Sequence, residues 1–157
     1  MTAQCSETLN YEGKDIALYS NPLGPYLRAT NTRFVSPSTA NWRGYLGKWK
    51  IIESEGIKRL YLVKLSAHQS YTEILSLSDV FPGFNQVFAH WFTGLLRCPQ
   101  GKQLEYVHMG YGSTYEYDLF MSIKQGVLVH QYAQHNRASQ KKPEGTFANF
   151  LRSNHAQ

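Results

Sequence analysis

The stretch YVHMGYGSTYEYDLF, residues 106–120, concentrates the side chains of this chain that are best suited to acid–base chemistry. General acid–base catalysis needs a group whose pKa lies near the working pH and that reaches its proton partner by a hydrogen bond. A histidine flanked by phenols and carboxylates meets that need, and a phenol can also donate to a developing oxyanion. One hypothesis is therefore an enzyme with an acid–base centre at His108, supported by Tyr111, Glu116 and Arg43.

The alternation of side chains along a strand divides this stretch into two faces. One face is mostly apolar and consists of Tyr115, Tyr117, Leu119, Met121 and Ile123. Glu116 and Asp118 point the other way, while Gly110 and Gly112 indicate a bend that directs Tyr111 separately from both faces. The pattern thus favours sheet packing for the tyrosines of the apolar face and leaves a smaller candidate catalytic group.

The sequence contains no other catalytic, metal-binding or cofactor-binding motif. The six histidines have no HxH or HExxH spacing, and the two cysteines, Cys5 and Cys98, form no CxxC pair. The run GYGS lacks the GK[ST] of a phosphate-binding loop, and no GxSxG is present. We therefore predict neither a metal nor a cofactor.

A non-enzymatic alternative uses the same region as a contact surface, and we favour it. Tyrosine, tryptophan and arginine side chains dominate the energetics of protein interfaces. Six candidates, one of them a histidine, are Trp42, Arg43, Arg97, His108, Tyr111 and Tyr115. The leading hypothesis is a binding protein that engages a protein partner through this aromatic and basic surface, and a homodimer would use the same chemistry.

The charge balance suits an acidic partner and gives little support to nucleic acid. The formal net charge is +5, from 16 Lys and Arg against 11 Asp and Glu. Because these charges are scattered and no basic run exceeds two residues, the chain lacks the footprint of a nucleic-acid-binding protein. No apolar run approaches the length of a membrane span, and the opening MTAQCSETLN lacks the features of a signal peptide. We expect a cytoplasmic protein without a membrane partner.

The length predicts one domain with three successive parts. Residues 1–44 are rich in turn formers and are predicted to be an irregular N-terminal wrapping segment, with a short strand or helix near 15–19. Residues 45–135 predict a β-meander core, and residues 136–157 predict a polar tail in which 147–151 could form a short docking helix. We predict a mainly β fold, an antiparallel meander forming a curved sheet or small barrel with a short helix or two at the periphery.

Four segments of the predicted core indicate its strands and turns. YLGKWKIIE and LYLVKL, separated by an SEG turn, predict a first β-hairpin. CPQGKQ is predicted to be the turn of a second hairpin, because Pro99 sets one φ angle and Gly101 accepts a positive one. SYTEILSLSDVF fits either a short helix or a strand.

The tripeptide GKW, residues 47–49, resembles the opening motif of lipocalins and related calycins, in which the tryptophan plugs the floor of a β-barrel. Those families place the motif near the N-terminus, whereas 46 residues precede it here. The resemblance implies a further alternative, a barrel that binds a small ligand.

A longer pattern covers about residues 41–130. It begins NWRGY-x3-W-x-I, continues through LYL and VFAxWFxGxL, and ends PQGxxxxYVHMGYGSxYE. This pattern resembles a group of small, largely uncharacterised bacterial proteins. By analogy, the resemblance implies a toxin-neutralising, immunity-type protein or another interaction protein, and it assigns no catalytic residue.

Overall fold

The computed structural model of the chain describes residues 3–107 and 110–136, which form one β-sheet and two short helices. In chain order the elements are β1 (Glu7–Tyr11), β2 (Lys14–Leu18), α1 (Gly24–Ala29), β3 (Tyr45–Ser54), β4 (Ile57–His68), β5 (Ile74–Leu75), α2 (Leu77–Val80), β6 (Val87–Phe88), β7 (Gly94–Glu105), β8 (Thr114–Lys124) and β9 (Val127–His135). The predicted mainly β fold with short helices is confirmed. Neither helix in this part of the chain is long and apolar enough to cross a membrane. The predicted polar tail and its docking helix lie outside the described residues, apart from Asn136.

The strand order across the sheet is β2-β1-β3-β4-β9-β8-β7, with β5 and β6 both paired to β4. Paired strands are antiparallel except β1 and β3, which run parallel where Leu9 pairs with Trp49. The sheet as a whole is therefore mixed, while every strand pair within residues 45–135, the predicted core, is antiparallel as predicted. The reason for the parallel pair is the crossover after β2, in which the chain passes through α1 before it enters β3 beside β1.

The sheet curls so that the first and last strands of the order, β2 and β7, approach each other. Just after β2, the backbone N–H of Tyr19 donates to the carbonyl of Arg97 on β7 at 2.7 Å. The hydroxyl of Ser20 then accepts from the N–H of Arg97 at 3.0 Å. No ladder joins these two strands in the described part of the chain, so the observed form is a curved sheet and not a closed barrel.

Leucines and a tryptophan fill the inside of the curl. Leu9, Trp49 and Leu62 are neighbours on β1, β3 and β4, and all three have 0% exposure. Leu96 and Met121 are partners on β7 and β8 and belong to the same core. The tryptophan of the GKW motif is thus a packed core residue.

The prediction of an irregular N-terminal segment is wrong for residues 7–11, which form β1, whereas the short element predicted near residues 15–19 is observed as the strand β2. β1 and β2 form a hairpin whose turn residues, Glu12 and Gly13, have φ angles of 52° and 80°. Two positive φ angles in a two-residue turn match the twist of the strands that flank it. The sequence of β1 lacks the expected alternation of apolar and polar residues, because the carboxylate of Glu7 is buried on the same face as Leu9.

CPQGKQ does not reverse the chain, so the turn predicted there is wrong. The segment lies inside β7, where Gly101 has a φ of 83° and the pairing with β8 shifts between Gln100 and Gln103. A bulge accepts a positive φ without ending the strand. Pro99 is tolerated because β7 is the last strand in the order. The second hairpin consists of β7 and β8.

SYTEILSLSDVF, which fitted either a helix or a strand, contains one of each. β5 pairs with the end of β4, and α2 follows directly. A capping box begins α2: the backbone N–H of Ser76 donates to Asp79 at 2.9 Å, and Asp79 lies three residues further on.

β8 follows the predicted alternation at its centre and departs from it near its start. Met121 and Ile123 are core residues, as the apolar face predicts. Tyr117 is 44% exposed, whereas Asp118 is buried at 6%. At the start of β8, Arg97 donates both to the buried carboxylate of Asp118 and to the carbonyl oxygen of Tyr111, which follows β7.

Gly126, in the β8–β9 turn, is hydrogen-bonded through its backbone to β4 and to the segment between β6 and β7. Its N–H donates to the carbonyl of Phe92 at 2.9 Å, and its carbonyl accepts from the N–H of Leu60 at 2.8 Å. Its φ is 83°, and an added Cβ would lie 2.6 Å from a ring carbon of Phe88. We expect Gly126→Ala to lower the free energy of unfolding by at least about 2 kcal/mol, because left-handed strain and overpacking add. Urea unfolding measures this loss.

Gly56→Ala is the matched control for that substitution. Gly56 holds the same position in the β3–β4 turn, with a φ of 76°, but an added Cβ there meets nothing within 4 Å. Gly56→Ala should therefore lower the free energy of unfolding only by the backbone strain, about 1 kcal/mol. Equal losses in the two variants would show that the contact of Gly126 with Phe88 contributes nothing.

Candidate functional site

A row of stacked side chains runs along the edge where β2 and β7 approach. We call it the arginine–tyrosine ladder, and it consists of Arg43, Tyr111, Tyr19 and Tyr115. The guanidinium carbon of Arg43 lies 6.0 Å from the ring centroid of Tyr111, which stacks on Tyr19 with centroids 4.9 Å apart. Tyr19 meets Tyr115 edge-on at 6.0 Å, and their hydroxyl oxygens are 3.1 Å apart. Such ring pairs each add about 0.5–1.5 kcal/mol beyond burial, so the ladder is held by its own contacts.

Arg97 fastens the ladder to the sheet. Its Nε donates to Asp118 at 2.9 Å, and its terminal nitrogens donate to the carbonyl oxygens of Tyr111 and Ser113 at 2.8 and 2.9 Å. Its guanidinium carbon also lies 5.3 Å from the ring centroid of Tyr19. Because all three nitrogens are engaged within the chain, Arg97 positions Tyr111 and has little to offer a partner.

Arg43 connects the ladder to a buried carboxylate. One terminal nitrogen donates to the carbonyl of Cys5 at 3.1 Å and lies 3.5 Å from a carboxylate oxygen of Glu7. Glu7 also accepts from the N–H of Gly47 at 2.7 Å and from the indole N–H of Trp49 at 2.8 Å.

Burial raises the pKa of Glu7, while Arg43 and the hydrogen bonds from Trp49 and Gly47 oppose that rise. All three neighbours of the carboxylate are donors. The ionised form satisfies them, whereas a protonated form would add a donor with no acceptor among these partners. Glu7 therefore serves Arg43 as an acceptor and a counterion.

A pocket with a volume of 360 Å³ opens beside Arg43. Sites for small ligands span about 300–1,000 Å³, so its size is that of a small ligand or of one side chain. Its lining includes Asn21, Leu27, Arg28, Arg33, Arg43 and Tyr45. Three guanidinium groups at one concave site concentrate positive charge there. We call this site the arginine pocket.

Local sequence explains how the pocket is built. Pro25 lies in the first turn of α1, where its fixed φ suits a helix start, and the helix presents Arg28 in its last turn. The segment after α1 is then fixed to β4, since the N–H of Val35 donates to the carbonyl of His68 at 2.8 Å. It also crosses Gly44 so closely that an added Cβ would lie 2.6 Å from the carbonyl oxygen of Val35. This crossing brings Arg33 and Arg43 to the same pocket.

The phenols near Arg43 are neutral at physiological pH. Burial raises the pKa of Tyr111 to about 12, and burial also raises the pKa of Tyr45 and of Tyr19. The hydroxyl of Tyr111 donates to the side-chain oxygen of Asn21 at 2.7 Å. These phenols therefore act as hydrogen-bond donors and as ring surfaces, and not as bases.

The structure brings together several of the residues predicted for a binding surface. Arg43, Tyr111 and Tyr115 lie in the ladder, and Arg97 lies beneath it. Trp42 is 47% exposed. Its backbone N–H donates to the side chain of Gln4 at 2.8 Å, and the N–H of Gln4 donates to the carbonyl of Gly110 at 3.0 Å, so Gln4 links Trp42 to the residue before Tyr111. The remaining candidate, His108, lies outside the described residues.

The residues of the alternative acid–base centre do not all meet. Arg43 and Tyr111 are neighbours in the ladder. Glu116 instead accepts from the backbone N–H of Lys102 at 2.8 Å in the bulge of β7, and it makes no hydrogen bond or ion pair with either of them. His108 lies in the part of the chain that is not described. The structure therefore does not supply the Glu116 carboxylate to Tyr111.

Sequence reasoning did not single out Tyr19, Glu7, Arg28 or Arg33. The segment NPLGPYLRATNTRF carried one signal, a proline helix start followed by two arginines, which indicates a basic helix end. No signal of this kind exists for Tyr19, which meets Tyr115 across 96 residues of chain. Contacts of such range depend on the fold.

The described residues offer little for metal or thiol chemistry. Within residues 3–107 and 110–136, no group of three or more His, Cys, Asp or Glu side chains lies close enough to hold a metal ion. Burial, with a contribution from Asp118, raises the pKa of the Cys98 thiol to about 12. A thiol with that pKa is a poor nucleophile at neutral pH.

Comparisons with protein-family models, with curated proteins and with solved structures found no match for this chain. The ladder and the arginine pocket are therefore the features of this chain that bear on its function.

Proposed function

We propose that this chain is a non-enzymatic binding protein that engages a protein partner through Trp42, Arg43 and the ladder beside them. The observation that carries the proposal is a half-exposed indole, that of Trp42, on the residue that precedes Arg43 in the chain, whose guanidinium group lies over the rings of Tyr45 and Tyr111. Tryptophan, tyrosine and arginine supply most of the binding energy in protein interfaces.

The proposed surface is held in place by the chain's own contacts. Arg43 is bonded to Cys5, Tyr111 is bonded to Asn21, and Gln4 ties the backbone of Trp42 to Gly110. Side chains that are already ordered lose little conformational entropy on binding. A preorganised surface of this kind supports a specific partner.

The charge of this surface favours an acidic partner. The side chains of Arg28 and Arg33 are exposed and form no hydrogen bond or ion pair with any described residue. Complementary charge speeds association and is screened by salt. A toxin domain with an acidic surface is the partner that fits both this charge and the resemblance to small bacterial proteins.

Capture from an extract of the producing cells, followed by binding measurements with the purified partner, tests the proposal. The immobilised protein should retain a partner that Trp42→Ala loses, with a dissociation constant raised at least about tenfold, as expected for an interface anchor. If the partner is a toxin, the unmodified protein should also suppress its activity.

Tyr71→Ala is the matched control, since Tyr71 is an exposed aromatic residue (74%) in the β4–β5 connection. It should leave capture unchanged. If both variants retain the partner, or if both lose it equally, Trp42 is not part of the interface and the proposal is wrong. Sedimentation of the protein alone shows whether the captured partner is a second copy of the chain.

A further inference from the structure

We infer that the arginine pocket binds an oxyanion, a carboxylate or a phosphate group, carried on an apolar or aromatic stem. The inference deepens the proposed function and rests on it for a biological role, because an acidic group of the partner would be the natural occupant. The binding chemistry itself follows from the pocket alone.

The first argument is charge. Arg28, Arg33 and Arg43 line one site, and the only carboxylate paired with any of them among the described residues is that of Glu7. Glu7 has 1% exposure and already accepts from Gly47 and Trp49. One carboxylate against three guanidinium groups leaves the pocket with excess positive charge. A concave site of one sign attracts the opposite ion.

The second argument is an unsatisfied donor. The Nε of Arg43 is buried and has no hydrogen-bond partner in the described part of the chain. Buried polar groups in native proteins are nearly always paired, and an unpaired N–H of a charged group is costly. Arg43 lines the pocket, and a small rotation of its guanidinium group would let an oxyanion bound there accept from this nitrogen. Guanidinium groups bind carboxylate and phosphate in this manner, with short, charge-assisted hydrogen bonds.

The third argument is the shape and polarity of the remaining wall. Leu27, Phe34 and Tyr45 supply apolar and aromatic surface to the same pocket. Leu27 and Tyr45 are themselves core residues with 8% and 3% exposure, so this wall is rigid. A volume of 360 Å³ is much larger than a bare acetate or phosphate ion requires. The wall therefore fits a stem that carries the anion.

A series of small probes tests this chemistry directly. Phenylacetate and phenyl phosphate carry the anion on an aromatic stem, acetate and inorganic phosphate lack the stem, and benzyl alcohol lacks the charge. We expect the two stemmed anions to bind saturably and to shift the Nε–H resonance of Arg43 in NMR spectra. The other three probes should bind at least about tenfold more weakly, since each loses one of the two recognition elements. The stronger of the two stemmed anions identifies the preferred oxyanion.

Arg28→Gln/Arg33→Gln is the variant of choice, because both side chains are exposed and unpaired and their loss should not affect folding. It should weaken binding of the stemmed anions at least about tenfold, as expected for lost charge-assisted hydrogen bonds. The matched control, Arg59→Gln/Lys64→Gln, removes the same charge from β4 and should bind as the unmodified protein does. Arg43→Lys keeps the charge but removes Nε, and it should lose binding while its urea midpoint confirms folding.

The outcomes separate the two proposals. If no stemmed anion binds, or if both double variants weaken binding equally, the pocket is not an oxyanion site, while capture through Trp42 still stands on its own test. If the stemmed anions bind but Trp42→Ala retains every partner, the oxyanion site stands and the proposed function fails. Phenylacetate or phenyl phosphate displacing the captured partner would identify the occupant as an acidic group of that partner. Binding without displacement would indicate a separate small ligand.

Discussion

Glu7→Ala should lower the free energy of unfolding by about 3–5 kcal/mol, the cost of breaking a buried ion pair from one side. The substitution leaves Arg43, whose side chain is 13% exposed, without its counterion. It also removes the acceptor for the indole N–H of Trp49 and for the backbone N–H of Gly47. A native domain has about 5–15 kcal/mol of stability in total, so the loss should be visible as a large drop in the urea midpoint.

Two further variants show whether the loss comes from this network. Glu53→Ala removes a carboxylate from an exposed position of β3 and should change stability by less than about 0.5 kcal/mol. Glu7→Ala/Arg43→Ala removes both charges. It should lower the free energy of unfolding by less than the sum of the two single substitutions, because neither charge is left unpaired. A Glu7→Ala protein as stable as the Glu53→Ala protein would show that the buried carboxylate does not support the fold.

Arg97→Ala should have an effect of similar size, about 3–5 kcal/mol, for a related reason. The Asp118 carboxylate would stay buried with the side chain of Asn136, at 2.9 Å, as its remaining side-chain partner among the described residues. The carbonyl oxygens of Tyr111 and Ser113 would each lose a donor. Because Arg97 also underlies Tyr19, the ladder should loosen, and hydrogen exchange at Tyr111 and Ser113 should accelerate more than exchange in β3 or β4.

Arg97→Lys and Lys124→Ala complete this test. Lysine keeps the charge but offers one nitrogen where arginine uses three, so Arg97→Lys should recover only part of the stability. Lys124 is exposed at the end of β8, and its removal should change neither stability nor exchange. Uniform acceleration of exchange across the whole sheet in Arg97→Ala would contradict a role confined to the ladder.

The fold could be predicted in outline because most of its strands have a recognisable local sequence pattern. β3 and β4 alternate or run apolar on both sides of a glycine turn, and β8 and β9 repeat that pattern. The errors have specific causes. β1 escaped detection because Glu7 faces inward, and β7 was divided at Pro99 and Gly101 because a bulge and a turn use the same residues. Whether a bulge or a turn forms at these residues depends on their pairing with β8, and the sequence of one segment does not specify that pairing.

The candidate site could be predicted only in part. Arg43 and Tyr111 stood out by residue type and by their neighbours, and the structure places both in one ladder. Arg97 was selected for the same chemistry, yet its nitrogens are all used within the chain. Residue type alone cannot distinguish these two arginines, because what differs is the number of acceptors that the fold brings to each.

By itself, the amino-acid sequence determined the class of fold, the glycine turns at Gly56 and Gly126, and the kinds of side chain that a surface could use, which are aromatic rings, arginines and few other charges. The tertiary structure decided which of those side chains meet. Tyr19 reaches Tyr111 because the curl brings β2 to β7, and Arg33 lines the same pocket as Arg43 because the chain crosses Gly44. Local patterns follow from the energetics of neighbouring residues, whereas these contacts form only when distant segments share one core. YVHMGYGSTYEYDLF therefore contributes Tyr111 and Tyr115 to a site whose positive charge comes from elsewhere in the chain.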